Sequence, residues 1–449
     1  MTTINMIVRT QMINAKYAEE SLAASIYRVG DASKSSDYLI MDVNVPVNYS
    51  YNVSGNLEPG DHFVQLLTPW GESITEDFVV SAGEPVNIDI DLPYRSPHEW
   101  LRWHSYSGGL ARPMPESRRA DSPSATQVLH YDSHNVNLCQ GYSVGVLRIL
   151  PETTSASCLQ AEAIDRVSDL ISANSPESVV MDSLGDIRQA PGPFRDAEDY
   201  MLFSLFNDGF ISSFAGLPEY YFERERKEPR IYVVQWSAGV VTLTPLPSPW
   251  MTRCEQSEVQ LAVGKHITSQ SREFSLTIGE PLMMSVFGYM TIGAGSRAAR
   301  LLNYEQAERM LYTKMMNPYA AAAGGYLLLL SNEQKAHPDE SKSWKIWIRN
   351  LENWFPWLPD GAILRAALYF NLGDGRRETA REALFEAYSR GLPYYTMGLK
   401  LMIDGMRSLA YQGDSEAEEL LEKLKIIARK AHPSQIFLSI DLTSGRTSI

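Results

Sequence analysis

The stretch Asn350–Leu364, NLENWFPWLPDGAIL, decides how the C-terminal half is read. It sets two tryptophans, a phenylalanine and two prolines around one aspartate. Just upstream, Trp344, Trp347, Ile348, Leu351, Trp354 and Phe355 fall on one helical stripe, with Lys345, Arg349, Glu352 and Asn353 elsewhere. Pro356 cannot continue that helix, because it lacks an N–H and disfavours helical geometry in the residue before it. Pro359, Asp360 and Gly361 then open a second helix, in which Ile363, Ala366, Ala367 and Phe370 lie together. A carboxylate at Asp360 suits the free N–H groups of a helix start. The run is therefore a corner between two helices, plugged by Trp357 and Leu358. The other reading is an exposed recognition site that includes Trp354, Trp357, Asp360, Tyr394 and Tyr395. Trp357 separates the two readings, because helical periodicity does not fix it.

Helices are expected from about residue 280 to the end. MMNPYAAAAGGYLLLL (315–330) reads as a buried helix; it is too short, and too interrupted by Pro318 and a glycine pair, to span a membrane. In DSEAEELLEKLKIIARKA, Ala417, Leu420, Leu421, Leu424, Ile427, Ala428 and Ala431 define one buried face. Residues 373–393 align with 413–433 at an offset of 40: Gly373, Asp374, Glu378, Glu382, Leu384 and Pro393 match Gly413, Asp414, Glu418, Glu422, Leu424 and Pro433. The layout resembles a tetratricopeptide-like helical hairpin, and 292–312 is a candidate earlier unit. Such hairpins cover their apolar faces by stacking in a solenoid. The alternative is an ordinary helical domain.

The rest of the chain divides into three. Residues 1–95 carry short β-branched and aromatic runs at about ten-residue spacing, with Val86, Ile88 and Ile90 alternating with Asn87, Asp89 and Asp91. The pattern predicts an antiparallel β-sandwich, and it resembles prealbumin-like or carboxypeptidase-regulatory-like modules. Residues 96–140 form a linker rich in Ser, Pro, Gly and Arg, where Arg118 and Arg119 are a candidate processing site. Residues 141–279 read as a mixed α+β domain: strands at YSVGVLRILP, RIYVVQWSAGVVTLTPL, EVQLAVGKH and EFSLTIGEP, a helix at 158–174, and a second helix at 196–210. The whole is a multidomain α+β chain whose helical domain covers 280–449.

The bulk composition bounds the function. The chain has 449 residues, 44% hydrophobic and 21% charged, with a formal net charge of −14. That is a folded, acidic protein, poorly suited to nucleic acid or an anionic membrane. The mixed-sign run FERERKEPR (222–230) is a solvated face, not a basic patch. Three cysteines without a CxxC give neither a disulfide framework nor a zinc site, and the N-terminus lacks a signal-peptide pattern. A cytoplasmic location is the expectation.

Catalytic motifs are sparse. His98, Glu99 and His104 do not make the HExxH of a zinc protease, because the second histidine falls on the wrong helical face. His130, His134 and Cys139 lie within ten residues, but loop-like neighbours give them no common helix. A cysteine hydrolase would need Cys139 with His130 or His134, or Cys254 with His266. Cys158 opens a helix, where the dipole can lower a thiol pKa. TIGAGSR (291–297) lacks the Gly-Lys-Ser/Thr ending of a phosphate loop. No cofactor and no metal is expected. A third option is a small-ligand pocket built from Trp344, Trp354, Trp357, Tyr394 and Tyr395.

NPYAAAAGGYLLL (317–329), WIRNLENWFPWLPDGAIL (347–364) and RGLPYYTMGLKLMIDGMRSL (390–409), in this order, with SPHEW at 96–100, resemble a group of largely uncharacterised bacterial proteins associated with caspase-like peptidases. The caspase His-Gly and Cys signatures are absent. The resemblance implies a partner, regulator or proteolytic target of such a protease, in a bacterial defence or stress pathway, and not the protease itself.

Overall fold

In the computed structural model, which describes residues 2–10, 21–29, 38–46, 50–55, 57–67, 73–92, 142–148, 158–174, 176–184, 186–189, 195–196, 200–204, 231–237, 240–248, 250–251, 256–257, 259–264, 274–278, 281–291, 298, 304–332, 343–371, 377–433 and 435–443, the chain opens with seven strands. These are β1 (Thr2–Thr10), β2 (Ser21–Arg28), β3 (Tyr38–Pro46), β4 (Ser50–Gly55), β5 (Gly60–Leu67), β6 (Ser73–Val80) and β7 (Val86–Leu92). They form two sheets, ordered β4-β1-β7 and β3-β2-β5-β6. Alternation decides the faces. Ile4, Met6 and Val8 of β1 and Ile88 and Ile90 of β7 point into a core shared with Leu22, Ala24 and Ile26 of β2. Asn5, Arg9, Asn87 and Asp89 point outward and pair across the strands.

The first sheet departs from the antiparallel expectation. β1 and β7 run parallel, with Ile4 opposite Val86 and Val8 opposite Ile90. Parallel neighbours require a crossover, and here the chain passes through β5 and β6 of the other sheet before returning beside β1. β2 is buried on both faces: Ala23 and Ser25 are as inaccessible as Leu22 and Ala24. Its outer face meets the first helix of the C-terminal region, where the Ala23 amide donates to the Tyr289 hydroxyl at 3.1 Å. Small residues at 23–25 let that helix approach.

The middle region comprises β8 (Tyr142–Arg148), α1 (Cys158–Ser172), α2 (Glu177–Leu184), β9 (Asp186–Gln189), β10 (Arg195–Asp196), β11 (Tyr200–Ser204), β12 (Ile231–Ser237), β13 (Val240–Pro245), β14 (Trp250–Met251), β15 (Gln256–Ser257), β16 (Val259–Gly264) and β17 (Phe274–Ile278). The expected helix at 196–210 is a strand where it is described: β11 pairs antiparallel with β16 from Tyr200 to Ser204. A short apolar run such as YMLFS carries no period that separates strand from helix, so its neighbour decides.

The C-terminal region comprises α3 (Pro281–Thr291), α4 (Tyr304–Tyr312), α5 (Pro318–Asn332), α6 (Ser343–Trp354), α7 (Pro359–Asn371), α8 (Arg377–Ser389), α9 (Thr396–Tyr411) and α10 (Ser415–Ala428), then β18 (Ile440–Asp441). α5 has no polar face because it is central. Tyr319, Ala321–Ala323 and Tyr326–Leu329 are all buried. Asn317 caps it by accepting from the Ala320 N–H at 2.9 Å, and Pro318 occupies its first turn. A Cβ on Gly325 would stand 2.7 Å from Leu364, so the bare backbone is what lets α7 pack against it. α7 pairs with α8 and α9 with α10 as helical hairpins. The second hairpin turns at Gly413, with Asp414 capping α10.

One core runs from the middle sheet into the helices. β18, from the far end of the chain, completes the sheet β18-β13-β12-β8-β9. α1 lies on α8 and α10, where Asp165 accepts from Tyr388 at 2.7 Å and pairs with Lys423 at 3.0 Å. The architecture is thus mixed α/β, with sheets at the N-terminal end and a helical C-terminal region. Among the described residues, no helix is long and apolar enough to cross a membrane.

Candidate functional site

The corner at 350–364 is packed. Trp357 is 2% exposed. Its ring meets Phe355 edge-on at 5.9 Å and Tyr319 at 5.8 Å. Tyr319 in turn meets Tyr394 at 4.9 Å, and Tyr395 donates to the Tyr319 carbonyl at 2.8 Å. Tyr394 and Tyr395 are buried as well, as is Trp344. Of the five candidate recognition residues only Trp354 is partly accessible; Trp357, Asp360, Tyr394 and Tyr395 are brought together as the inner wall of the corner. They are not an open aromatic cluster.

Asp360 is fully buried in the first turn of α7. Its carboxylate accepts from the Tyr326 hydroxyl at 2.7 Å and from the Tyr394 N–H at 2.9 Å. Burial, then the Asp360 charge, holds the Tyr326 phenol well above its usual range. Gly398 closes this site, since a Cβ there would stand 2.7 Å from the Tyr326 hydroxyl oxygen. The carboxylate thereby ties α5 and α7 to the segment that leads into α9.

Two residues of this corner escaped sequence reasoning. Arg390, at the end of α8, directs Nη1 at the carbonyls of Glu352 (3.1 Å), Phe355 (3.4 Å) and Leu358 (3.3 Å). It caps the C-terminal end of α6 from another helix, where the dipole favours a cation. Arg365 holds the buried Glu352 with two contacts from Nη1, at 2.7 and 2.8 Å. Burial pushes the Glu352 carboxyl up, and Arg365 pulls it partly back. An arginine before a glycine at a helix end is a visible signal, but which helix it caps is not.

Accessible apolar surface lies elsewhere. At the end of α4, Tyr312 is 64% exposed, and Met315 and Met316 follow it; on α6, Ile346 is 56% exposed. Tyr312 and Trp347 join the two elements, with ring centroids 5.3 Å apart. Beneath them Lys314 is buried, its Nζ 4.9 Å over the Trp354 ring, and burial pushes its ammonium pKa down.

Two grooves flank α9. One, of about 450 Å³, lies between α3, α9 and the segment after α10. The other, of about 330 Å³, lies against α5 and α7. Met397 and Asp404 line both.

His98, Glu99, His104, Arg118, Arg119, His130, His134, Cys139, Cys254 and His266 lie outside the described residues, as does most of 291–297. Cys158 is described only as the first residue of α1. Among the described residues, no group of three or more His, Cys, Asp or Glu side chains is placed to hold a metal.

No curated protein and no solved structure matches the chain. Residues 285–441, which run from within α3 to the last residue of β18 and hold the corner, both grooves and the exposed apolar surface, match the family model of the Y4kD C-terminal domain, a bacterial-type domain.

Proposed function

We propose that the protein is a non-enzymatic interaction protein that docks a partner protein on its C-terminal helical region. The observation that carries this reading is the gathered surface of Tyr312, Met315, Met316, Ile346 and Trp347. Single exposed apolar residues are ordinary, but Tyr312 in edge contact with Trp347, with Met315, Met316 and Ile346 exposed on the same two segments, has the composition of an interface core. Methionines adapt to the shape of what they meet. In this reading the hairpins stack as a solenoid-like platform, and the N-terminal unit is a β-sandwich of the prealbumin type docked through β2.

The sequence resemblance makes a caspase-like protease the first partner to test, in a bacterial defence or stress pathway. The chain would then be its regulator or its target, with Arg118–Arg119 as the cut site. The test is co-purification of the full chain with that protease, using wild type and the surface double variant Ile346→Asp, Met316→Asp. Binding by wild type and loss in the variant are expected. Equal recovery, or recovery of neither, sinks the docking reading. N-terminal sequencing of any fragment tests the target version separately: cleavage outside 105–126 removes that version alone.

A further inference from the structure

The larger groove beside α9 carries an inference independent of the partner surface, with which it shares no residue. Its apolar wall is Phe287, Met290, Leu399, Ile403, Ala431 and Ile436. Its volume, about 450 Å³, falls within the roughly 300–1,000 Å³ of small-molecule sites, which are largely apolar with a few polar groups. The polar groups here are not equivalent. Thr396 is spent on the Gln435 carbonyl, to which its hydroxyl donates at 2.6 Å. Asp404 is neutralised by Arg407 at 3.1 Å. Lys400 is exposed and, among the described residues, makes no ion pair.

The charged lining is therefore two cations and one anion, Lys400, Arg407 and Asp404, a positive rim on a chain of net charge −14. An apolar trough with one uncommitted ammonium at its edge is complementary to an apolar chain ending in one negative charge. We propose that this groove binds a small amphipathic carboxylate, its acyl body on Met290, Ile403, Ala431 and Ile436, the apolar lining that keeps accessible surface, and its head group on Lys400.

The test is isothermal titration of the full chain with dodecanoate below its micellar range. Dodecanol and dodecyltrimethylammonium serve as uncharged and cationic controls. Saturable binding of one dodecanoate per chain is expected, tighter than either control. Lys400→Glu lies on the surface and leaves the fold intact. It should weaken dodecanoate about fivefold, the scale of an exposed ion pair, and leave dodecanol unchanged. Ala428→Trp, which fills the groove, should weaken both. Absence of saturable binding overturns the proposal. So does dodecyltrimethylammonium binding as tightly as dodecanoate, or dodecanoate affinity that Lys400→Glu does not change.

Discussion

Tyr326 donates its hydroxyl proton to Asp360 across 2.7 Å, and both side chains are buried. This bond joins the central helix to the start of α7, and it decides how the corner behaves when perturbed. Tyr326→Phe keeps the ring but removes the donor, leaving the carboxylate one partner short in a site without water access. A buried hydrogen bond to a charged group contributes about 2 kcal/mol. Urea unfolding should show a loss of that size. A loss below about 0.5 kcal/mol would mean that Asp360 is protonated or otherwise served.

Arg390 provides the second hold on the corner. One guanidinium nitrogen serves three carbonyls at the end of α6, and Nε meets Glu386 at 2.9 Å. Arg390→Met should lower stability by about 2–3 kcal/mol, because the Glu352 and Leu358 carbonyls lose this donor, while that of Phe355 still accepts from the Leu358 N–H at 2.9 Å. Arg390→Lys should recover less than half of that, since a single ammonium cannot reach both the carbonyls held by Nη1 and the Glu386 carboxylate held by Nε. Thermal unfolding of the three proteins is the check. A lysine variant as stable as wild type would reduce Arg390 to a generic cation.

Much of this region was legible in the sequence, for local reasons. Pro356 had to end one helix and Pro359 suited the start of the next; Trp344, Ile348, Leu351 and Phe355 of the stripe face inward, while Trp347 and Trp354 stay half-buried. Asp360 was assignable to a helix start. Its bond to Tyr326 was not, because 34 residues separate the two. The same limit hid the reach of Arg390. The strand at β11 was misread because its apolar run is too short for a period, and the parallel β1–β7 pair was missed because alternation fixes a face and not a direction. The patch of Tyr312, Met315 and Met316 with Ile346 and Trp347 was missed because it is assembled from two elements, the end of α4 and α6. The grooves beside α9 had no sequence signal either, since their walls come from three elements or more.

The turn between α9 and α10 gives a pH signature. Asp414 accepts from Arg381 Nε at 2.5 Å and from the Ala417 N–H at 3.1 Å, and these hydrogen bonds, Arg381 first, hold its carboxyl below the usual range. A depressed folded-state pKa gives stability that is complete above the unfolded value, about 3.9 for aspartate, and is lost as the pH falls through the folded value. Wild type should therefore exceed Asp414→Asn in stability from pH 7 to about pH 5, and the gap should close below about pH 4. Urea titrations at stepped pH measure it. A gap that stays constant to pH 3 would show that Asn lacks something other than charge.

The last segment of the chain couples the two large regions. Leu438 donates its N–H to the Tyr394 carbonyl at 2.9 Å, on the helical side; Leu442 donates to the Val241 carbonyl at 2.8 Å, on the sheet side. Between them, Ser439 bonds Thr244 at 2.8 Å and Asp441 accepts from Thr242 at 2.6 Å. Ile436, Phe437, Leu438, Ile440 and Leu442 are all buried. Each large side chain so buried contributes about 1.5–3 kcal/mol, and five together rival the whole stability of a typical domain. Removal of residues 435–449 should therefore leave no folded helical region. Phe437→Ala is the gentler probe, expected to cost about 3–5 kcal/mol. Because the segment touches both sides, amide exchange should accelerate together in β13 and α9 in that variant. Faster exchange in α9 alone, with β13 as protected as before, would show that the sheet and the helices unfold as separate units.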